Sequence, residues 1–195
     1  DATFFNILQA HRAAGELGTM STADFTTLAS GVAGRDLSWF FNPWLYQTGA
    51  PVYNYAWQPA TINGQPYARL MIRQTQSGTI FDMPIHARLN NAHGTQIALG
   101  KVRNSAATQH YLIPLASTVG TATGTSPSVV LDPDNWVLEY GKTIIAYTQG
   151  PPKVISTVPF AGVDIDADMS PSAVTIGFSD PVNAAASDFA VTRDG

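Results

Sequence analysis

Cysteine is absent from this 195-residue chain. Disulfides, thiolate zinc sites and cysteine nucleophiles are thereby excluded. Charge is scarce too. Only 12% of the residues are Asp, Glu, Lys or Arg, about half the usual share. The surface must therefore be covered largely by Ser, Thr, Asn, Gln and Gly, which suits secreted β-rich modules. The net charge is −4 and the basic residues are scattered, so no stripe is laid out for nucleic acid. No apolar run is long enough to span a membrane. The given residues open DATFF, with no initiator Met and no signal-peptide pattern among them. The expectation is a piece of a longer bacterial protein, placed outside the cell, in the periplasm or on the cell surface.

Catalytic motifs are missing as well. The four histidines, His11, His86, His93 and His110, form no HExxH and no i, i+4 pair. His11 lies on an expected helix, but Gly15 occupies the position a second ligand would need. Asp164, Asp166 and Asp168 imitate the start of an EF-hand loop. Met169 stands where the loop needs Gly and Thr175 where it needs Glu, so a carboxylate-rich turn is the better reading. Asp132 and Asp134 could in principle serve as paired carboxylates for glycoside hydrolysis. Pro133 and Asn135 beside them favour a turn. No nucleophile elbow and no phosphate-binding loop occurs. No catalytic, cofactor-binding or metal-ligating residue is assigned.

What is present falls into three zones. Residues 1–50 predict two or three helices. The first runs over 2–14, with Phe4, Leu8 and His11 on one face. Ser21 with Asp24 forms a short-armed capping box ahead of a buried stripe of Phe25, Leu28, Ala29 and Val32. Asp36 is positioned to cap a third helix toward Tyr46, and Pro43 inside it predicts a kink or restart near Asn42. From Val52 the period changes to two. Tyr53, Tyr55 and Trp57 share one face of a strand, and Asn63-Gly64 predicts a tight hairpin. Further strands are expected at 68–73, 83–90, 95–102, 108–115, 127–131, 136–140 and 143–148. The span 51–148 has the length and rhythm of an antiparallel Ig-like β-sandwich. Gly150-Pro151-Pro152 then reads as a linker. Strands near 153–158, 173–178 and 188–192 would make the remainder, 149–195, an incomplete second Ig-like unit. Such a half-sandwich would leave strand edges open. It should pair with the main sandwich or with a second copy of the chain.

The densest aromatic stretch is RDLSWFFNPWLYQTGAPVYNYAW at 35–57. DLSWFFNPWLYQTGAP resembles the D-L-x-x-F-F-x-x-W-L-x-x-x-G-x-P segment of the M1 (gluzincin) zinc aminopeptidases. The matching residues are Asp36, Leu37, Phe40, Phe41, Trp44, Leu45, Gly49 and Pro51. Pro43 departs from the Gln common in that family before the Trp. VVLDPDNWVLE at 129–139 is similar to the last strands of the sandwich that follows, and STADFTTLASGVAG to the helical run that precedes. The resemblance extends over about residues 1–147. It implies a helical remnant of a catalytic domain leading into a β-sandwich. It also implies that the zinc site, the substrate-amine motif and the catalytic Tyr of such an enzyme lie upstream, on none of the residues here. The tail resembles the start of a bacterial Ig-like repeat, on Ser156, Thr157, Pro159, Thr175, Ile176, Phe178, Ser179, Pro181 and Val182.

The expected role is that of a non-catalytic C-terminal segment of a secreted M1-like metallopeptidase. It would brace the upstream catalytic domain of the same polypeptide, which would carry the zinc. Phe40, Phe41, Trp44, Tyr53, Tyr55 and Trp57 are expected to fill the seam between helices and sandwich. The alternative is a stand-alone surface module that uses Tyr53, Tyr55 and Trp57 as a carbohydrate- or protein-binding face.

Overall fold

A computed structural model of the chain describes residues 2–16, 18–115, 128–158, 175–183 and 185–188. Three helices come first: α1 (Ala2–Gly15), α2 (Thr22–Ala33) and α3 (Ser38–Tyr46). Ser21 caps α2 in a full capping box. Its hydroxyl accepts from the Asp24 N–H while the Asp24 carboxylate accepts from the Ser21 N–H at 3.1 Å. Gly34 ends the helix at φ 63°, in the left-handed region. The first residue flanking α3 is Leu37, whose side chain caps nothing. Asp36 acts from one position earlier, where its carboxylate accepts from the Ser38 N–H at 2.9 Å. α3 is one helix with Pro43 inside it, where a restart at Asn42 is expected from the sequence. In so short a helix Pro43 removes a single backbone donor.

The sandwich follows. It is built from β1 (Val52–Ile62), β2 (Gln65–Gln74), β3 (Met83–Asn90), β4 (Gln96–Asn104), β5 (Thr108–Pro114), β6 (Ser128–Leu131) and β7 (Gly141–Ile144). One sheet has the order β5-β2-β1-β7 and the other β4-β3-β6. The β1–β2 turn has Asn63 at φ 50° and Gly64 at φ 79°, the two positive angles that an Asn-Gly hairpin provides. Pairing is antiparallel except at one edge, where β7 runs parallel to β1. The stretch 136–140 has the alternation of a strand but joins no ladder among the described residues. Asp132 and Asn135 adopt positive φ just before it, and the turn they form swings the chain out before β7 begins.

One apolar core lies between the two sheets. Tyr53, Leu70 and Ile72 come from the first, and Ile85, Leu89 and Leu131 from the second. Burying each such side chain contributes about 1.5–3 kcal/mol. The chain is thus mainly β with N-terminal helices in a β-sandwich-like arrangement. In the tail, β8 (Val154–Val158) pairs antiparallel with β9 (Thr175–Phe178). Among the described residues neither tail strand joins a sandwich sheet, which was one of the two pairings expected, the other being with a second copy of the chain. Pro159, Asp164, Asp166 and Asp168 lie outside the described residues, as does most of the strand expected at 188–192.

Candidate functional site

The helix–sandwich junction is built by few side chains. Trp44 of α3 packs on Phe81, with ring centroids 4.7 Å apart, and its indole N–H points to the Met83 sulfur at 3.3 Å. Phe81 is fully buried and Met83 nearly so. One turn earlier, the Arg103 guanidinium lies 5.0 Å from the centroid of the Trp39 ring. Asp82 holds that guanidinium through two bonds of 2.7 and 2.6 Å. Phe40 and Phe41 turn the other way. Phe41 meets Phe25 of α2 edge-on at 5.7 Å, and Phe25 meets His11 of α1 at 5.2 Å. Phe40 is partly exposed and stacks on its neighbours Trp39 and Phe41. Tyr53 is fully buried in the sandwich core, and Tyr55 and Trp57 pack against that core.

The six aromatics named from the sequence thus occupy different places. Trp44 touches both units, Phe40 and Phe41 serve the helices, and Tyr53, Tyr55 and Trp57 serve the sandwich. Trp39 was missed. Its only sequence signal is its place in the SWFF run, and its partner Arg103 is remote in the chain. Gly49 has φ 91°, a conformation that disfavours any side chain, and Pro51 after it is buried. The Pro51 carbonyl accepts from the Tyr140 N–H at 2.9 Å. The G-x-P step therefore delivers β1 into the core.

Two buried polar groups fasten the sheets together. The Gln74 amide donates to the Phe81 carbonyl at 2.6 Å and to the Asn104 side chain at 2.7 Å, and it accepts from the Phe81 N–H at 2.9 Å. With every group partnered, this is a structural clamp. The Tyr53 hydroxyl is buried with no hydrogen-bond partner among the described residues. Burial, then the nearby Glu139 and Asp132, push its pKa well above the usual phenol range.

Asp132 is buried, and both its carboxylate oxygens accept backbone N–H groups, from Trp136 and Val137, each at 3.0 Å. Such a carboxylate shapes a turn. Asp134 is exposed beside it. Among the described residues no three His, Asp or Glu side chains gather closely enough to hold a metal ion.

The linker and tail are clasped to the outer face of the first sheet. Arg69 of β2 pairs with Asp180 at 2.5 Å and donates to the Ser179 carbonyl at 3.2 Å. Gln149 also donates to Asp180, at 3.0 Å. His110 of β5 meets Tyr147 edge-on, and its Nδ1 is buried without a hydrogen-bond partner among the described residues. Burial, then Lys153 and Arg73, lower its pKa below the ordinary imidazole value. Gly150 lies flat on that imidazole, since a Cβ there would come 2.3 Å from the ring.

No protein-family model and no curated protein matches the chain. Among solved structures, aminopeptidase A of Legionella pneumophila, determined in complex with aspartic acid, is similar in fold. The likeness has a TM-score of 0.52 at 18% identity and covers 66% of this chain. The chain spans only 14% of that enzyme's length. At this identity the likeness is one of fold.

Proposed function

We propose that this chain is a non-catalytic C-terminal portion of a secreted M1-like zinc aminopeptidase. In this reading it braces a catalytic domain elsewhere in the same polypeptide and links it to an Ig-like tail. The observation that carries the reading is the fold shared with part of an aminopeptidase. The D-L-x-x-F-F-x-x-W-L-x-x-x-G-x-P pattern supports it, because its residues have physical tasks at the helix-to-sandwich passage. Trp44 locks α3 to Phe81, while Gly49 and Pro51 feed β1. The outer face of α1 also supports it. Phe4 and Phe5 are 55% and 59% exposed, and Leu8 is bare beside them. An apolar stripe of this kind needs a partner surface, and the catalytic domain would provide it.

In this reading zinc and its ligands belong to that other domain. The test is an aminopeptidase assay on the natural full-length protein and on this chain alone, each with added zinc. Activity in the full-length protein and none in the chain is expected. A parent gene with no HExxH upstream of Asp1 would refute the proposal. A second reading, a surface binding module, is favoured by the bare side chains of Trp136, Leu138 and Tyr140 on one side of the 136–140 stretch.

A further inference from the structure

We propose that the β3–β4 ladder carries a docking cleft for an acidic peptide segment with an apolar side chain. Two cavities adjoin along the rungs Pro84–Arg103 and His86–Lys101. They share Pro84 and Lys101 in their walls. The larger, about 540 Å³, is walled by Trp39 and carries Arg35, Lys101 and Arg103. The smaller, about 270 Å³, is closed by Met83, Trp136 and Val137. One compartment therefore carries three cations against Asp36 in its wall and Asp82 on Arg103, and the next is more apolar, with Lys101 at the boundary.

The charges are available. Arg103 is held by Asp82, but no acceptor meets the Arg35 guanidinium or the Lys101 ammonium among the described residues. His86 stands across the ladder from Lys101. Arg35 and Lys101 thus leave two unpaired positive charges on one face of a chain whose net charge is −4. Carboxylates complement them, because guanidinium and ammonium groups form their strongest hydrogen bonds with anionic oxygens. Trp136, 79% exposed, forms the outer wall of the apolar compartment and can close over an aliphatic side chain.

The lining also argues against a neutral sugar. Sugar hydroxyls need acceptors as well as flat rings. The two carboxylates in the walls already accept two hydrogen bonds each, Asp36 from Ser38 and Asp132 from the Trp136 and Val137 N–H groups, which reduces what they can offer a sugar. The groups with no partner among the described residues, Arg35 and Lys101, are donors, and apolar surface adjoins them, which suits an acid–apolar peptide.

The test is fluorescence anisotropy of the full chain with the fluorescein-labelled peptide Gly-Glu-Leu-Glu-Glu-Gly. Saturable binding is expected, weakening as salt rises from about 50 to about 500 mM. The double variant Arg35→Ala/Lys101→Ala should lose affinity about tenfold or more. Trp136→Ala should weaken the Leu peptide by a similar factor but leave a Ser-for-Leu peptide unchanged. All three side chains are exposed, so these variants should keep the parent's circular dichroism and melting point. Four results would overturn the proposal: no saturable binding up to about 1 mM peptide, equal binding of a Lys-for-Glu peptide, variants that bind like the parent, or a cleft filled instead by a second copy, seen as dimerisation that the variants abolish.

Discussion

The two halves of this chain solve the burial problem differently. The sandwich encloses a continuous core between two sheets, with Tyr53, Phe81, Leu70, Ile85 and Leu131 almost wholly removed from water. The helices bury almost nothing: no residue of α1 or α3 is buried, and Ala29 is the one in α2. Sequence amphipathicity is the same kind of signal in both, yet the helices meet one another through His11, Phe25 and Phe41 and still leave Phe4, Phe5 and Leu8 exposed. A helix stripe such as Phe4, Leu8 and His11 promises burial without saying against what. The lesson is that the sandwich encloses its own core, whereas the helices leave apolar side chains exposed and are tied to it by Trp44.

The comparison can be broken most forcefully in the core. Phe81→Ala removes a fully buried ring that serves both sheets and Trp44. It should cost about 3–5 kcal/mol in urea melts. Trp44→Ala should cost less, about 2–3 kcal/mol, because the ring is half-buried, and the loss should appear mainly as fraying of α3. An effect as large as that of Phe81→Ala would mean that the helices share the sandwich's core.

The tail clasp gives a medium effect. Gly150→Ala drives a methyl into the His110 ring and should cost about 1–3 kcal/mol as overpacking. The double variant with His110→Ala should recover most of it in a double-mutant cycle. The same imidazole sets a pH dependence. Its folded pKa is lowered, so the unfolded chain binds the proton more readily. Its contribution is complete above the ordinary imidazole value, about 6.5. The loss sets in as the pH falls below that value and is complete once the pH is below the lowered folded value. His110→Gln should flatten stability against pH across this window. The smallest effect belongs to α1: Phe4→Ser should change the stability of this chain by no more than about 0.5 kcal/mol.

Local chemistry was legible in the sequence. Ser21 with Asp24 announced a capping box and Asn63-Gly64 a hairpin, because each signal depends on residues within one turn. The β-sandwich class followed from alternation. Non-local choices were not legible. The alternating WVLEY at 136–140 looks like a strand, but nothing in it reveals that the Asp132 turn leaves it unpaired with Trp136, Leu138 and Tyr140 facing outward. The parallel fit of β7 on β1 and the pairing of β8 with β9 are likewise decided by distant partners. The same holds for the cleft between Trp39 and Trp136, since no short-range pattern joins Arg35 to Lys101.

Native-state hydrogen exchange on this chain tests the central claim most directly. Amides of β1, β2 and β3 should be protected at the level of global unfolding, and those of α1 and α2 should exchange far faster, through local opening. Protection in α1 equal to that in β2 would contradict the account, because the helices would then belong to the same cooperative unit as the sandwich.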